Sequence, residues 1–285
     1  MQATLSFPSC PATLSNEQIE QYQRDGFLAF TDVLSASEVE ETRAAISELV
    51  QRVAQCDNPE KKGSFWTLPG TRFGIQFEPG YEPQVDDPDM ELKIRKLMWY
   101  CEQHPRLNHF VERHPKVQGV LSSLLGENPI LFQDMALIKP PFIGSQKPWH
   151  QDDAYFAVTP LDMVCGVWIA LDEATIENGC MHVLPGDHLK GPLKHHHHRD
   201  CEIMPDRLEK ASAQTRAVPI PLPPGGALFF SGLLPHQTPP NTSPERRRAV
   251  QWHYRAAHTQ FIAKDEYDKL FCEADGTPAS CASAR

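Results

Sequence analysis

The pattern of apolar and polar positions changes character near residue 126. Before it, apolar residues recur mostly at helical spacing. Ser15, with Gln18 three residues on and Glu17 in the first turn, reads as the capped start of a helix that carries Ile19 and Tyr22 and stops at Asp25-Gly26. The apolar run Phe27–Phe30 then predicts a strand. A second helix begins near Ser35 or Ser37 and carries Val39, Ala44, Ile46, Leu49, Val50 and Val53. Residues 57–89, rich in Pro, Gly and aromatics, read as strand and loop anchored by Phe65, Trp66, Phe73 and Phe77. A further helical stretch runs from about Pro88 to Leu125, broken near Pro105 and Pro115 and ended by Gly126.

From Ile130 onward short apolar runs alternate with turn clusters: Ile130–Ile138, Trp149–Tyr155, Cys165–Leu171, Met181–Leu184, Val218–Ile220, Ala227–Ser231 and Ala249–Arg255. Strands at this density predict a mainly β protein with a jelly-roll core, a double-stranded β-helix of the cupin-like kind, and flanking helices packed on one side. The expected organisation is one domain over 1–285: helical support over about 15–126, the jelly roll over about 127–258, and an irregular tail over 259–285. The polar, His-rich segment 186–216 reads as a long connection.

Composition narrows the function classes. The formal charge is −10 with no long basic run, so the footprint of a nucleic-acid binder is missing. No apolar run reaches the ~20 residues that span a bilayer. The N-terminus, Met1-Gln2-Ala3-Thr4, lacks the blocks of a signal peptide, and a soluble cytoplasmic protein acting on a small molecule is expected. The eight cysteines form no C-x-x-C pair, and reduced thiols are the expectation for all of them.

The chemistry gathers around His150-Gln151-Asp152. His-x-Asp with a remote His, here His236, is the ligand set that holds non-haem Fe(II) with open positions. In a strand, His150 and Asp152 would point to one face. Arg247 adds a planar cation suited to a dicarboxylate, which together suggests an oxygenase that consumes a 2-oxo acid. Other groups read more plainly. His195–His198 reads as a solvated loop, His188 as a turn-stabilising residue, and His182 and His253 as core or pocket-wall histidines, with His253 a candidate support for the ligands. Asp153, of opposite strand parity, reads as structural or supporting. Phe65, Trp66, Phe73, Phe132, Tyr155, Phe156 and Trp252 are core or substrate wall, with Tyr155 and Phe156 the first candidates for the wall and Phe73 and Trp252 after them.

The motifs Tyr22-Gln23-Arg24-Asp25-Gly26-Phe27, Ile138-Lys139-Pro140-Pro141, Trp149-His150-Gln151-Asp152, Gly166–Leu171, Glu177-Asn178-Gly179-Cys180, Leu184–His188, Pro224–Ala227 and Pro235-His236 with Asn241 and Arg247 carry a resemblance over most of the chain. The sequence resembles the phytanoyl-CoA dioxygenase family of iron(II)- and 2-oxoglutarate-dependent oxygenases. The resemblance implies that His150, Asp152 and His236 bind Fe(II) and that Arg247 with Thr238 anchors the far carboxylate of 2-oxoglutarate. It also implies that Lys93, Met135, Gln151 and Trp168 line the cosubstrate pocket. The implied reaction consumes O2, releases succinate and CO2, and hydroxylates an unactivated C–H bond. Asp152 itself favours hydroxylation, because related halogenases carry a small residue there. Desaturation, epimerisation or ring closure with the same cofactors is the alternative outcome. A non-catalytic cupin-like metal-binding protein is the rival class, and it has no need of a dicarboxylate anchor. No cationic cluster in the sequence advertises a coenzyme A phosphate, which favours a small metabolite over a fatty acyl-CoA.

Overall fold

The computed structural model describes residues 6–82, 89–156, 158–197, 200–208 and 210–272. The predicted helix starts form as capping boxes. Ser15 caps α1 (Asn16–Asp25) with Gln18 answering, and Ser35 caps α2 (Ala36–Ala54) with Glu38 answering. Gly26 ends α1 in the left-handed region at φ 82°, and His188 packs against it while its Nε2 lies 3.1 Å from the Gln23 carbonyl. The turn-stabilising role expected of His188 is thus a brace on the end of α1. Two further helices, α3 (Pro105–Arg113) and α4 (Pro115–Leu125), each begin on a proline, whose fixed φ suits a first helical turn.

The large sheet is antiparallel throughout and has nine strands. In spatial order they are β1 (Phe27–Phe30), β14 (Ala227–Ser231), β9 (Val164–Ala170), β16 (Arg247–Arg255), β6 (Ile130–Lys139), β5 (Ile94–Met98), β4 (Gly74–Phe77), β3 (Phe65–Thr67) and β2 (Glu60–Lys62). A four-stranded sheet faces it, in the order β13 (Val218–Ile220), β10 (Met181–Val183), β15 (His236–Thr238) and β7 (Lys147–His150). Two small pairs complete the strands: β11 (His195–His197) with β12 (Cys201–Ile203), and β8 (Val158–Thr159) with β17 (Gln260–Phe261). Short helices α5 (Asp153–Phe156), α6 (Pro205–Leu208) and α7 (Lys210–Arg216) lie in connections, and α8 (Lys264–Phe271) closes the described chain.

Burial follows strand parity. Val250, Trp252 and Tyr254 of β16 join Ile46, Leu49, Val120 and Leu121 in the core between sheet and helices. Trp168, Leu228 and Ala249 meet Met181, Val183 and Ile220 in the core between the two sheets. The jelly roll with helices on one side is therefore the observed architecture. Among the described residues no helix is long and apolar enough to cross a membrane.

Several expectations change. Residues 94–98, expected as helix, are strand β5, because Ile94 and Leu97 find their burial in the sheet core between β4 and β6. The N-terminal support is thus not wholly helical: β2 to β5 extend the large sheet. Segment 186–216 is not a bare connection, since it folds into β11, β12, α6 and α7. The tail is regular as far as Phe271, where α8 buries Tyr267 and Phe271, and 273–285 lies outside the described residues. Cys201 is disulfide-bonded, contrary to the expectation of thiols throughout. His195, expected in a solvated loop, is fully buried in β11, and His198 lies outside the described residues.

Gly166 in β9 sits at the register position opposite both Phe230 and His253. A Cβ there would lie 2.4 Å from the Phe230 ring. That ring packs edge-on against His236 at 4.9 Å between centroids, so the bare backbone of Gly166 gives Phe230 its place. Replacing Gly166 with Ala is expected to destabilise the fold by about 1–3 kcal/mol through overpacking. Denaturant unfolding should show a lower midpoint at unchanged slope, and an unchanged midpoint would mean that the ring has room to move.

Candidate active site

The two histidines of the triad come from paired strands of the smaller sheet. His150 ends β7, directly opposite His236 at the start of β15, and their rings lie 4.1 Å apart. Asp152 reaches them differently from the strand-parity expectation. β7 stops at His150, and the chain turns into α5 with Tyr155 N–H bonding the Asp152 carbonyl at 2.8 Å. The turn brings Asp152 Oδ1 to 3.4 Å from His150 Nε2 and 3.7 Å from His236 Nε2. One ligand atom from each residue lies within 4.8 Å of the others, and all three side chains are buried.

Hydrogen bonds fix the ligand atoms. His150 Nδ1 lies 2.8 Å from the Pro148 carbonyl, and His236 Nδ1 lies 2.9 Å from the Leu234 carbonyl. A carbonyl only accepts, so each Nδ1 carries a proton, and each Nε2 is the atom turned toward Asp152. Burial, then the neighbouring His150, pushes the His236 pKa down to about 3, so its ring stays neutral. Burial alone would raise the Asp152 pKa, but His236 and His253 together with hydrogen bonds hold it well below the usual carboxylate range. Asp152 Oδ2 accepts from His253 Nε2 at 2.7 Å and from Gln251 Nε2 at 3.2 Å, which leaves Oδ1 facing the imidazoles. Two imidazoles and one carboxylate on one side of a cavity are a donor set that fits Fe(II).

The same cavity, of about 360 Å³, takes in Arg247, Thr238 and Met135. Arg247 is 1% exposed, and burial pushes its pKa down to about 10. It donates to the carbonyls of Leu137 at 3.2 Å and Gly179 at 3.4 Å, its Nε has no partner, and among the described residues no carboxylate meets it in an ion pair. Trp168 backs the guanidinium at 5.3 Å to the ring, behind the cavity wall rather than in it. Arg246 and Arg248 are engaged elsewhere, with Glu91 and Asp172 respectively.

Other expected site residues fall elsewhere. Gln151 is braced away from the cavity: its amide donates to the carbonyls of Gly191 at 2.9 Å and Leu233 at 2.7 Å, and its Oε1 accepts from Leu193 N at 2.7 Å. Its backbone N–H donates to His195 Nε2 at 3.0 Å, which accounts for the burial of that histidine. Lys93 lies in a 3-10 turn outside the cavity, and Lys96, three residues on in β5, lines it instead. Trp252 points to the helix side, where its indole N–H donates to Tyr100 Oη at 3.0 Å, and Phe73 is in that same core. Tyr155 and Phe156 do line the cavity. Asp153, in α5 rather than a strand, is fully buried with neither carboxyl oxygen bonded.

Sequence reasoning left the role of His253 open and missed Gln251. Alternation along β16 carries the signal, because 251 and 253 share the inner face with Arg247. It also missed a cationic cluster that only the fold assembles: Arg95 and Lys96 from β5 and Lys147 from β7 line the cavity together with Asp200.

Comparison with known proteins agrees with this geometry. The family model described as Phytanoyl-CoA dioxygenase (PhyH) matches residues 22–249. "Phytanoyl-CoA dioxygenase domain-containing protein 1" of Mus musculus is 27% identical over 269 residues, covering 86% of this chain and 91% of that protein. The crystal structure of EvdO2 from Micromonospora carbonacea var. aurantiaca complexed with 2-oxoglutarate is 27% identical, covers 88% of this chain and 94% of its own, and superposes with a TM-score of 0.61. The carbocyclase SnoK from nogalamycin biosynthesis shares the fold, with a TM-score of 0.64 at 21% identity over 93% of this chain and 94% of its own. With four-fifths of its length matched by one family model, the chain belongs to the phytanoyl-CoA dioxygenase (PhyH) family of iron(II)- and 2-oxoglutarate-dependent dioxygenases.

Proposed function

We propose that this enzyme hydroxylates an unactivated C–H bond of a small organic metabolite, coupled to conversion of 2-oxoglutarate and O2 into succinate and CO2. One oxygen atom goes to the substrate as hydroxyl and the other to succinate. The observation that carries the reading is the pairing, in one cavity, of the buried His150–Asp152–His236 donor set with a buried Arg247 that lacks a carboxylate partner among the described residues. A buried cation left in this way costs stability unless a ligand completes it.

His150 and His236 offer Nε2 lone pairs, and Asp152 offers Oδ1. Iron held there supplies the activation of O2 and the oxidative decarboxylation that the side chains themselves lack. His253 and Gln251 hold the outer oxygen of Asp152 and so aim the inner one. Arg247 and Thr238 orient the cosubstrate through its far carboxylate, with Met135 alongside it. Tyr155, Phe156 and Met98 form the wall that excludes water beside the substrate. The fold alone does not set the outcome, since SnoK, of the same fold, is described as a carbocyclase. The retained Asp152 supports hydroxylation.

Anaerobic titration should show Asp152→Ala losing more than about a hundredfold in Fe(II) affinity, and His253→Ala losing roughly ten- to a hundredfold. Native circular dichroism should persist in both. Iron binding by Asp152→Ala at the wild-type level would remove the triad from the mechanism.

Arg247→Leu should weaken 2-oxoglutarate about 10- to 100-fold, the loss of a charge-assisted pair of roughly 1.5–3 kcal/mol, with Fe(II) affinity within about threefold of wild type. If wild-type enzyme binds Fe(II) yet neither binds 2-oxoglutarate nor releases succinate, the oxygenase reading fails.

A further inference from the structure

The charged groups on the cavity wall are already matched. Arg247 and Lys96 have no carboxylate partner among the described residues, and their two charges answer the two carboxylates of 2-oxoglutarate. Lys139, in register with Arg247 and 4% exposed, adds little at neutral pH, because burial and then Arg247 push its pKa down to about 6. All three protons of the Lys147 ammonium are taken inside the protein: by Asp200 Oδ1 at 2.5 Å, Tyr155 Oη at 2.6 Å and the Cys201 carbonyl at 3.5 Å. The other oxygen of Asp200 accepts from Arg95 Nη2 at 2.8 Å.

What is left unmatched near the donor set is neutral. Gln133 on β6 lines the cavity, is 5% exposed, and its Oε1 is buried without a hydrogen bond. It stands opposite His253, whose ring holds Asp152, so it lies one strand from the donor set. Tyr155 of α5 gives a lone pair to Lys147, and its own hydroxyl proton meets no acceptor among the described residues. Its ring is edge-on to His150, with centroids 6.2 Å apart. Phe156, the next residue, packs its ring on His253 at 4.6 Å and gives this corner an apolar surface. Gln76 on β4 also keeps a buried Oε1 unbonded, but it is in register with Lys96, two strands beyond β6. An amide and a phenol left in this way favour a ligand that completes them.

We propose that the molecule oxidised here is uncharged and carries hydroxyl groups close to the carbon attacked, and that Gln133 and Tyr155 select it through them. A hydroxyl both donates and accepts, so it can take the Tyr155 proton and give its own to the Gln133 amide oxygen. A carboxylate has no proton for that oxygen. An ammonium accepts nothing from the phenol and meets the Lys147 charge beside it. A bare hydrocarbon leaves both groups buried and unmet, and sites built to hydrogen-bond a hydroxyl reject such analogues most strongly. The proposal rests on the dioxygenase reading, because that reading commits Arg247 and Lys96 to the cosubstrate and Asp152 to iron.

The test is anaerobic calorimetry on enzyme loaded with Fe(II) and 2-oxoglutarate. The probes share one ring: the cis-cyclohexanediols, cyclohexanol, cyclohexanecarboxylate and cyclohexylammonium. The tightest-binding diol is expected to exceed cyclohexanol and both charged rings by at least about tenfold, a difference of about 1.4 kcal/mol. In Gln133→Leu, and separately in Tyr155→Phe, the advantage of the diol over cyclohexanol should shrink to within about threefold. The affinity for 2-oxoglutarate should stay within about threefold in both variants. Diols that bind no better than cyclohexanol, or not at all, overturn the proposal. A charged ring that binds as tightly as the best diol does the same, as does a diol advantage that survives intact in Gln133→Leu. The wild-type comparison across the ring series stands even if a variant misfolds. Failure of wild type to bind 2-oxoglutarate at all would instead sink the dioxygenase reading.

Discussion

The Asp152 carboxylate joins the two sheets of this molecule. Its inner oxygen faces His150 and His236 of the smaller sheet, and its outer oxygen is held by His253 and Gln251 of β16 in the larger one. A buried carboxylate has to be satisfied on both sides, so the spacing of the sheets and the parity of β16 are bound to one charge. Packing supports the arrangement from behind. Phe156 lies edge-on to His253 at 4.6 Å, and Phe230 lies against His236 over the bare backbone of Gly166. A shift of either ring would move a group that touches Asp152.

The site is costly in electrostatic terms, and the cost has a pattern. Arg247, buried, and Lys96, half-buried, have no carboxylate partner among the described residues, while Lys139 is pushed toward neutrality beside Arg247. Gln76, Gln133 and Arg247 leave polar atoms unbonded on the cavity wall, whereas the helix-packed face of the large sheet is mostly apolar. One face of the sheet is closed core, and the other carries both the core between the sheets and the site. The separation follows from the alternation of side chains along β6 and β16, which carry apolar residues to one side and Lys139, Arg247, Gln251 and His253 to the other.

That alternation also explains what was legible in the sequence. The caps at Ser15 and Ser35, most of the strands of the jelly roll and the triad with Arg247 all depend on local spacing, and local spacing survives folding. The failures share a cause: each depended on a partner remote in sequence. Residues 94–98 look helical until β4 and β6 offer them a sheet, and that change puts Lys96 rather than Lys93 in the cavity. Gln151 looks like a cavity residue until Gly191, Leu193 and Leu233 bind both ends of its amide. Trp252, next to His253 in sequence, is on the opposite face in space. The cationic cluster joins residues of β5 to β7, and no window along the chain contains both.

Asp152 and Asp153 show how far environment outweighs identity. They are adjacent, of one residue type and both buried, yet they are driven in opposite directions. Asp152 has imidazoles on both sides and stays ionised. The Asp153 carboxyl has no hydrogen-bond partner among the described residues, so burial, reinforced by the charge of Asp152, pushes its pKa well above the usual range. Gly232 permits the close approach, since a Cβ there would lie 2.2 Å from Asp153 Oδ1. A single carboxylate with two imidazoles leaves a bound divalent ion a net positive charge, which a 2-oxo acid can share.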